Sequence, residues 1–381
     1  MTSETDRLKA DRRALHFIAE CAWREKKTIE YLCEAARDFG CRIFKTESCV
    51  ALFFDFGKSS TVAFRAEMDA LPLSERTGLS FAAKNNMHAC GHDGHMAIAL
   101  EVARIVGKKG LSFHDNLLIV FEPAEEEYGG AQYLLSRPFW QEINVTSAFA
   151  LHLFPHLPFG NVFSREGTIC AGTREVNVAF TGKSAHVARG EGVDALSAAV
   201  EFLARTGDEI KRSEDGFVSF GKLGGGVARN VVCARAEAEG TLRFFEKEFS
   251  DKAIKKMTRA MNEICLKRGV TGTFDAQRGI PPVVNDKKLL ACAKKAWEIF
   301  PAKKQLIGDD FGVIAESVPS VYFLLGAGET ADLHSDAFDF DERVLRIGVD
   351  FCLAILEKSG WVKRNDFYDR RRPCFADDFF I

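Results

Sequence analysis

Apolar residues recur along this chain with two different periods, and the switches between them outline its organisation. Residues 4–39 carry helical spacing twice. In "KTIEYLCEAARDFG", Ile29, Leu32, Cys33 and Ala36 share a face, and the run stops at Gly40. Three short runs follow, "CRIFKTE", "VALFFDF" and "STVAFRAEM", each with the length and side-chain content of a strand. "GHMAIALEVARIVGKKG" predicts a helix from near Gly94 with a basic, glycine-terminated end. "NLLIVFEPAEEE" and "SAFALHL" predict two more strands. Strands apolar throughout, alternating with helices, predict an α/β domain with a largely parallel sheet.

The pattern then changes. "TREVNVAFTG" alternates strictly, with Val176, Val178 and Phe180 on one side. A helix follows in "GVDALSAAVEFLARTGDEI", then the strands "GFVSFGKLGGG" and "AEAEGTLRFF", the helix "KAIKKMTRAMNEICLKRG" and the strand "VTGTFDAQRG". The order β-α-β-β-α-β predicts a ferredoxin-like α+β unit. After it the α/β pattern resumes with the helix "DKKLLACAKKAWEIF", the strand "SVYFLLGAG" and a helix from about Asp341 to Lys358. The expected organisation is a first part of one domain at 1–172, an insert at 173–283, the rest of the first domain at 284–360, and a tail of unknown role at 361–381.

Composition narrows the function classes. Of 381 residues, 46% are hydrophobic and 28% charged, which suits globular domains with full cores. A net charge of −3 and the lack of a basic stripe argue against a nucleic-acid partner. No apolar run is long enough for a membrane span. The start, "MTSETDRLKADRRALHF", is too polar for a signal peptide. Eleven cysteines without a CxxC pair fit reduced thiols in a cytoplasm better than a disulfide framework.

One ten-residue stretch stands apart. "MHACGHDGHM", residues 87–96, places Cys90 and His92 two apart among glycines that permit a tight loop. Thiolate and imidazole suit zinc and its neighbours, and carboxylates admit manganese. In open α/β sheets, sites form where loops leave the carboxyl ends of strands. That rule also selects Glu125 and Glu126 after "LLIVF", His152 in "SAFALHL", and His334 beyond "SVYFLLGAG". His88, His95, His114, His156 and Glu127 read as neighbours or surface residues. Adjacent side chains on an extended segment diverge, so one of Glu125 and Glu126 would bind a metal while the other acts on water.

With these stretches, "RAEMDALPLSERTGLSF", "PAEEEYGGA", "LHLFPHLPFG", "GKSAHVARGEGVDAL", "GGGVARNVV", "GTLRFF" and "DDFGVIAESVPSVYFLLGAG…LHSDAFDF" occur in order. In these motifs the chain resembles the metallo-amidohydrolases that include hippurate hydrolase, N-acetyl-diaminopimelate deacetylase and the auxin-conjugate hydrolases. The resemblance covers nearly everything before about residue 360. It implies a metallopeptidase-like catalytic domain with two divalent ions (zinc, manganese, cobalt or nickel), bridged by Cys90 and completed by His92, Glu126, His152 and His334. Glu125 would be the general base, and Asp69 would orient a ligand histidine. The insert would be a lid that also joins a homodimer or higher oligomer. His186 would reach the reaction centre, from its own chain or a partner's. Asn230 and Arg243 would hold a substrate carboxylate. The implied reaction is amide hydrolysis of small N-acyl amino acids; the alternatives are a dipeptidase or carboxypeptidase, or a non-catalytic binding homologue.

Overall fold

The computed structural model describes residues 4–358 apart from Gly110 and Ser112; the tail expected at 361–381 lies outside the described residues. The chain divides into two compact units. Of the described residues, one comprises 4–169, 283–303 and 309–358; the other comprises Cys170–Pro282 and Lys304–Gly308.

In the first unit, the described residues form an eight-stranded sheet. Its order is Arg42–Lys45, Val50–Phe54, Asn116–Glu122, Thr61–Glu67, Val145–Phe154, Ser320–Gly326, Val162–Ser164, Ile299–Pro301. The four strands from Asn116–Glu122 to Ser320–Gly326 are mutually parallel, while the pairings of Val50–Phe54 and of the 162–164 strand with them are antiparallel. The sheet is thus mixed, with a parallel centre. Thr61–Glu67, Asn116–Glu122 and Ser320–Gly326 are buried at every position, as the unbroken apolar runs require of strands covered on both faces. Phe64 stacks on Phe149 with ring centroids 4.6 Å apart, holding two central strands together. The helix His92–Lys109 packs Met96, Ile98, Leu100 and Val102 into the same core. It begins at His92, two residues before the start its sequence predicts. The helix expected over "DKKLLACAKKAWEIF" ends at Ala296; Trp297 is extended and Ile299–Pro301 joins the sheet edge beside Val162–Ser164. No described helix is long and apolar enough to cross a membrane.

The second unit follows the β-α-β-β-α-β order. Its strands lie in the order Thr271–Asp275, Gly172–Thr181, Arg235–Phe244, Gly216–Gly225, all antiparallel, with a short strand Gly279–Ile280 also on Gly172–Thr181. This is the ferredoxin-like arrangement. Val176, Val178 and Phe180 face inward against Phe202 of the helix Ala195–Glu209 and Met257 and Ile264 of the helix Lys247–Arg268.

Candidate metal centre

The parallel strands of the first unit deliver their carboxyl ends to one place. Register sets Glu67 opposite Glu122 at two of those ends, and His152 lies near a third. The loop before the His92–Lys109 helix closes over them. Gly91 has φ +83, and a Cβ on Gly94 would meet Leu153 at 2.7 Å and Phe340 at 2.8 Å, so glycine lets this loop pack closely.

Cys90 and His92 are buried there, with the Cys90 Sγ 3.5 Å from Nε2 of His152. Nδ1 of His92 lies 2.8 Å from the carbonyl oxygen of Asp69, an acceptor that fixes the proton on Nδ1 and leaves the Nε2 lone pair free. Nε2 is buried without a hydrogen-bond partner and lies 4.0 Å from Oε2 of Glu125. His152 is arranged alike, with Nδ1 2.6 Å from the carbonyl oxygen of Leu153 and Nε2 turned to Cys90. Asp69 also accepts the amide proton of Glu126 through Oδ2 at 3.1 Å. Nε2 of His334 stands 3.2 Å from Oε1 of Glu126, and the His334 amide donates to the carbonyl of Ala89 at 2.9 Å. Thus Asp69, Cys90, His92, Glu125, Glu126, His152 and His334 converge. Donor atoms of Cys90, His92 and Glu126 lie within 4.8 Å of one another, as do those of Glu67, His92, His95 and His152.

The expected set omits several residues that the structure adds. His95 places Nδ1 2.8 Å from Glu67, and its Nε2 accepts the amide proton of Leu153 at 2.8 Å. Both its nitrogens are engaged, so it braces the strand end that carries His152. Arg65 is fully buried and binds Glu67 and Glu122, with Asp309 and Asp310 at 3.0 and 2.9 Å. Tyr322 donates its hydroxyl to Asp309 at 2.5 Å. The available signal was an arginine and a glutamate inside an otherwise apolar strand, since such charges are buried only when paired.

Electrostatics favour a cation. Glu67, Glu122, Asp309 and Asp310 gather around the permanent positive charge of Arg65, Glu125 lies beside the last two, and Asp69 and Glu126 flank His92. Burial, with Asp309, Glu126 and Asp310 adding, holds the Glu125 carboxyl well above its ordinary range. Burial, with Glu126, Glu125, Glu67 and Asp309 adding, pushes the Cys90 thiol up. Burial opposes a charge on His92, yet its bond to Asp69 and the charge of Glu67 outweigh that and lift it to about 10. The free Nε2 of His92, the thiol and the facing carboxylate of Glu126 fit a divalent ion, which would reverse these shifts.

His186, Asn230 and Arg243 belong to the second unit. The Val187 amide donates to the carbonyl of Asn230 at 3.2 Å, and His186 bridges Val231, so His186 and Asn230 are neighbours. Nδ1 of His186 accepts the Ala188 amide proton, while the following helix is capped by Asp194 instead. Arg243 lies elsewhere, opposite Thr173 near the point where the chain enters the unit. The ladder runs without a break from Phe244 opposite Gly172 to Arg235 opposite Thr181, and then on to Val232 and Val231. From Arg243 to Arg235 alone is eight residues, about 26 Å at ~3.3 Å each, so Arg243 sits at the other end of the sheet from His186 and Asn230.

The model for Peptidase family M20/M25/M40 matches residues 63–358. An N-acetyldiaminopimelate deacetylase of Oenococcus oeni is 34% identical over 380 residues, covering 91% of this chain and 97% of that one. The enzyme of the same name from Lactobacillus acidophilus is 33% identical over 368 residues, covering 89% and 94%. Among solved structures, the Bacillus subtilis YXEP protein, described as a dinuclear metal binding peptidase from the M20 family, superposes with a TM-score of 0.83 at 27% identity, covering 93% of this chain and 99% of that one.

Proposed function

Because the chain belongs to peptidase family M20/M25/M40 and is a metal-dependent hydrolase of amide bonds, we propose that it removes the acyl group from N-acyl amino acids, releasing a carboxylate and a free amino acid. N-acetylated amino acids, N-acetyldiaminopimelate among them, are the first substrates to try. The observation that carries this reading is the convergence of Cys90, His92, Glu126, His152 and His334 beside a buried acid, Glu125, whose Oε2 lies 4.0 Å from Nε2 of His92.

In this reading the five ligand residues hold two divalent ions, which when bound polarise the amide carbonyl and make water acidic enough to attack near neutral pH. Asp69 holds the His92 ring and the Glu126 backbone in place. Glu125 takes a proton from the attacking water and passes it to the leaving nitrogen, work for which a buried carboxyl 4.0 Å from Nε2 of His92 is well placed. His186 steadies the developing negative oxygen, and Asn230 and Arg243 hold the substrate carboxylate.

The test is a substrate screen. Protein stripped with chelator and reloaded with manganese, cobalt or zinc is offered N-acetyl amino acids, hippurate and free dipeptides. Release of acetate or benzoate, lost on stripping and restored by metal, supports the reading. Cleavage of dipeptides with no action on acylated amino acids would replace it with the peptidase alternative.

A further inference from the structure

The Glu125–Glu126 pair projects from a backbone elbow that should not hold itself. Ala124, fully buried, has φ +49, a left-handed conformation that a residue with a Cβ rarely adopts. Tyr128, four residues on, has φ +56, and its amide donates to the carbonyl of Glu125 at 3.0 Å. The return is so tight that a Cβ on Gly130 would fall 1.7 Å from the carbonyl oxygen of Pro123.

What grips this elbow comes from 99 residues earlier. Glu25 precedes the helix Lys26–Ala36 and occupies its N-cap position, yet its side chain does not cap that helix. Glu20 bonds the helix's free Thr28 amide in its place at 3.0 Å, and the Thr28 hydroxyl at 3.1 Å. Relieved of that local task, Glu25 is buried at 2% exposure, and its Oε1 accepts the amide proton of Ala124 at 2.9 Å. Two residues further on, Asp69 accepts the amide proton of Glu126. The elbow is therefore held at alternate amides by carboxylates from two separate segments.

We propose that Glu25 is a positioning residue for the reaction, clamping the Ala124 amide so that Glu125 and Glu126 keep their bearing on the water and the metal. The inference rests on the roles given above to those two glutamates. Burying a carboxylate is costly unless its bonds compensate, and here the bond goes to the strained residue next to Glu125. The clamp needs only an acceptor oxygen, so an amide serves as well as a carboxylate.

Two substitutions separate the clamp from mere packing. Glu25→Met fills the same volume without an acceptor, and Glu25→Gln keeps the acceptor. Glu20→Ala uncaps the same helix without touching the elbow. With manganese-loaded protein and an N-acetyl amino acid, Glu25→Met is expected to lose about 100-fold in kcat with KM little changed, the usual consequence of a ~1 Å misplacement. It should also hold manganese less tightly in competition with a chromophoric chelator, because Glu126 shifts with the elbow. Glu25→Gln should match the wild type in both, and Glu20→Ala should lower Tm while keeping kcat. If Glu25→Met does not fold, Glu25→Asp, one methylene too short to reach Ala124, takes its place. A folded Glu25→Met (or Glu25→Asp) with wild-type kcat and manganese affinity would overturn the proposal, as would Glu25→Gln behaving like Glu25→Met, or Glu20→Ala losing kcat equally. If the wild type hydrolyses no acylated amino acid, the functional reading fails by itself, and the manganese competition still decides whether Glu25 holds the elbow.

Discussion

The imidazole of His92 meets the carbonyl oxygen of Asp69 at 2.8 Å, and that one bond decides which ring nitrogen is left to bind. Replacing His92 with alanine should therefore cost metal directly. Cys90→Ser should weaken binding too, a hydroxyl being a far poorer ligand than a thiolate for zinc or cobalt. Metal counted after gel filtration is expected to fall below that of the wild type in both. Full occupancy in either would remove that residue from the ligand set.

Glu125 and Glu126 should part company on mutation. Glu125→Gln is expected to keep its ions and lose about 10²–10⁴-fold in kcat, the ordinary worth of a proton-transfer group. Glu126→Gln is expected to lose metal. Metal analysis beside steady-state kinetics checks both, and the opposite pattern would exchange the roles.

The buried carboxyl of Glu25 makes a pH prediction. Burial, with the charge of Asp69 adding, pushes it up to about 7 from an ordinary value of 4.5. Between those values the folded chain keeps a proton that the unfolded chain has released, so this residue's contribution to stability falls as pH rises through the window and is level above it. Glu25→Gln removes the effect. Its advantage over the wild type should be absent near pH 4 and grow to as much as about 3 kcal/mol by pH 8, at 1.36 kcal/mol per unit of displacement. Thermal melts at the two pH values measure it, and an advantage that shrinks with rising pH would show the sign to be wrong.

Placement of Arg243 and His186 at opposite ends of one sheet gives a mixing experiment its meaning. Inactive Glu125→Gln chains and inactive His186→Ala chains, unfolded and refolded together, should regain part of the activity if His186 serves a neighbouring subunit. Absence of recovery in a mixture shown to contain heterodimers would confine each site to one chain. Arg243→Ala should raise KM for substrates with a free carboxylate and matter less for their amides, as loss of a bidentate guanidinium contact implies.

Much of the fold was legible because burial on both faces leaves a plain trace: unbroken apolar runs such as "NLLIVF" cannot be surface strands. The candidate ligand residues were legible because cysteine, histidine and acids cluster where such strands end. Other features leave no local trace. The antiparallel partners that flank the parallel centre look the same in sequence as parallel ones. In "AKKAWEIF" the apolar residues continue the helical spacing, and only the sheet edge at Val162–Ser164 draws Ile299–Pro301 out of it. Arg65 meets Asp310 across 245 positions and Glu25 meets Ala124 across 99, and neither partner's neighbourhood announces the other. His186, Asn230 and Arg243 share one insert, which groups them, but only the strand register reveals the length of sheet between them.

The crowd of acids around Arg65 also bears on how long a molecule survives in a cell. Folding without ions confines those charges, whereas each ion bound only by the folded form adds stability by mass action, about 2.7 kcal/mol when its concentration is 100 times its Kd. Molecules made under metal starvation are then expected to open more often and to be degraded sooner than loaded ones. Abundance of this protein would follow the supply of its metal with no regulator in between.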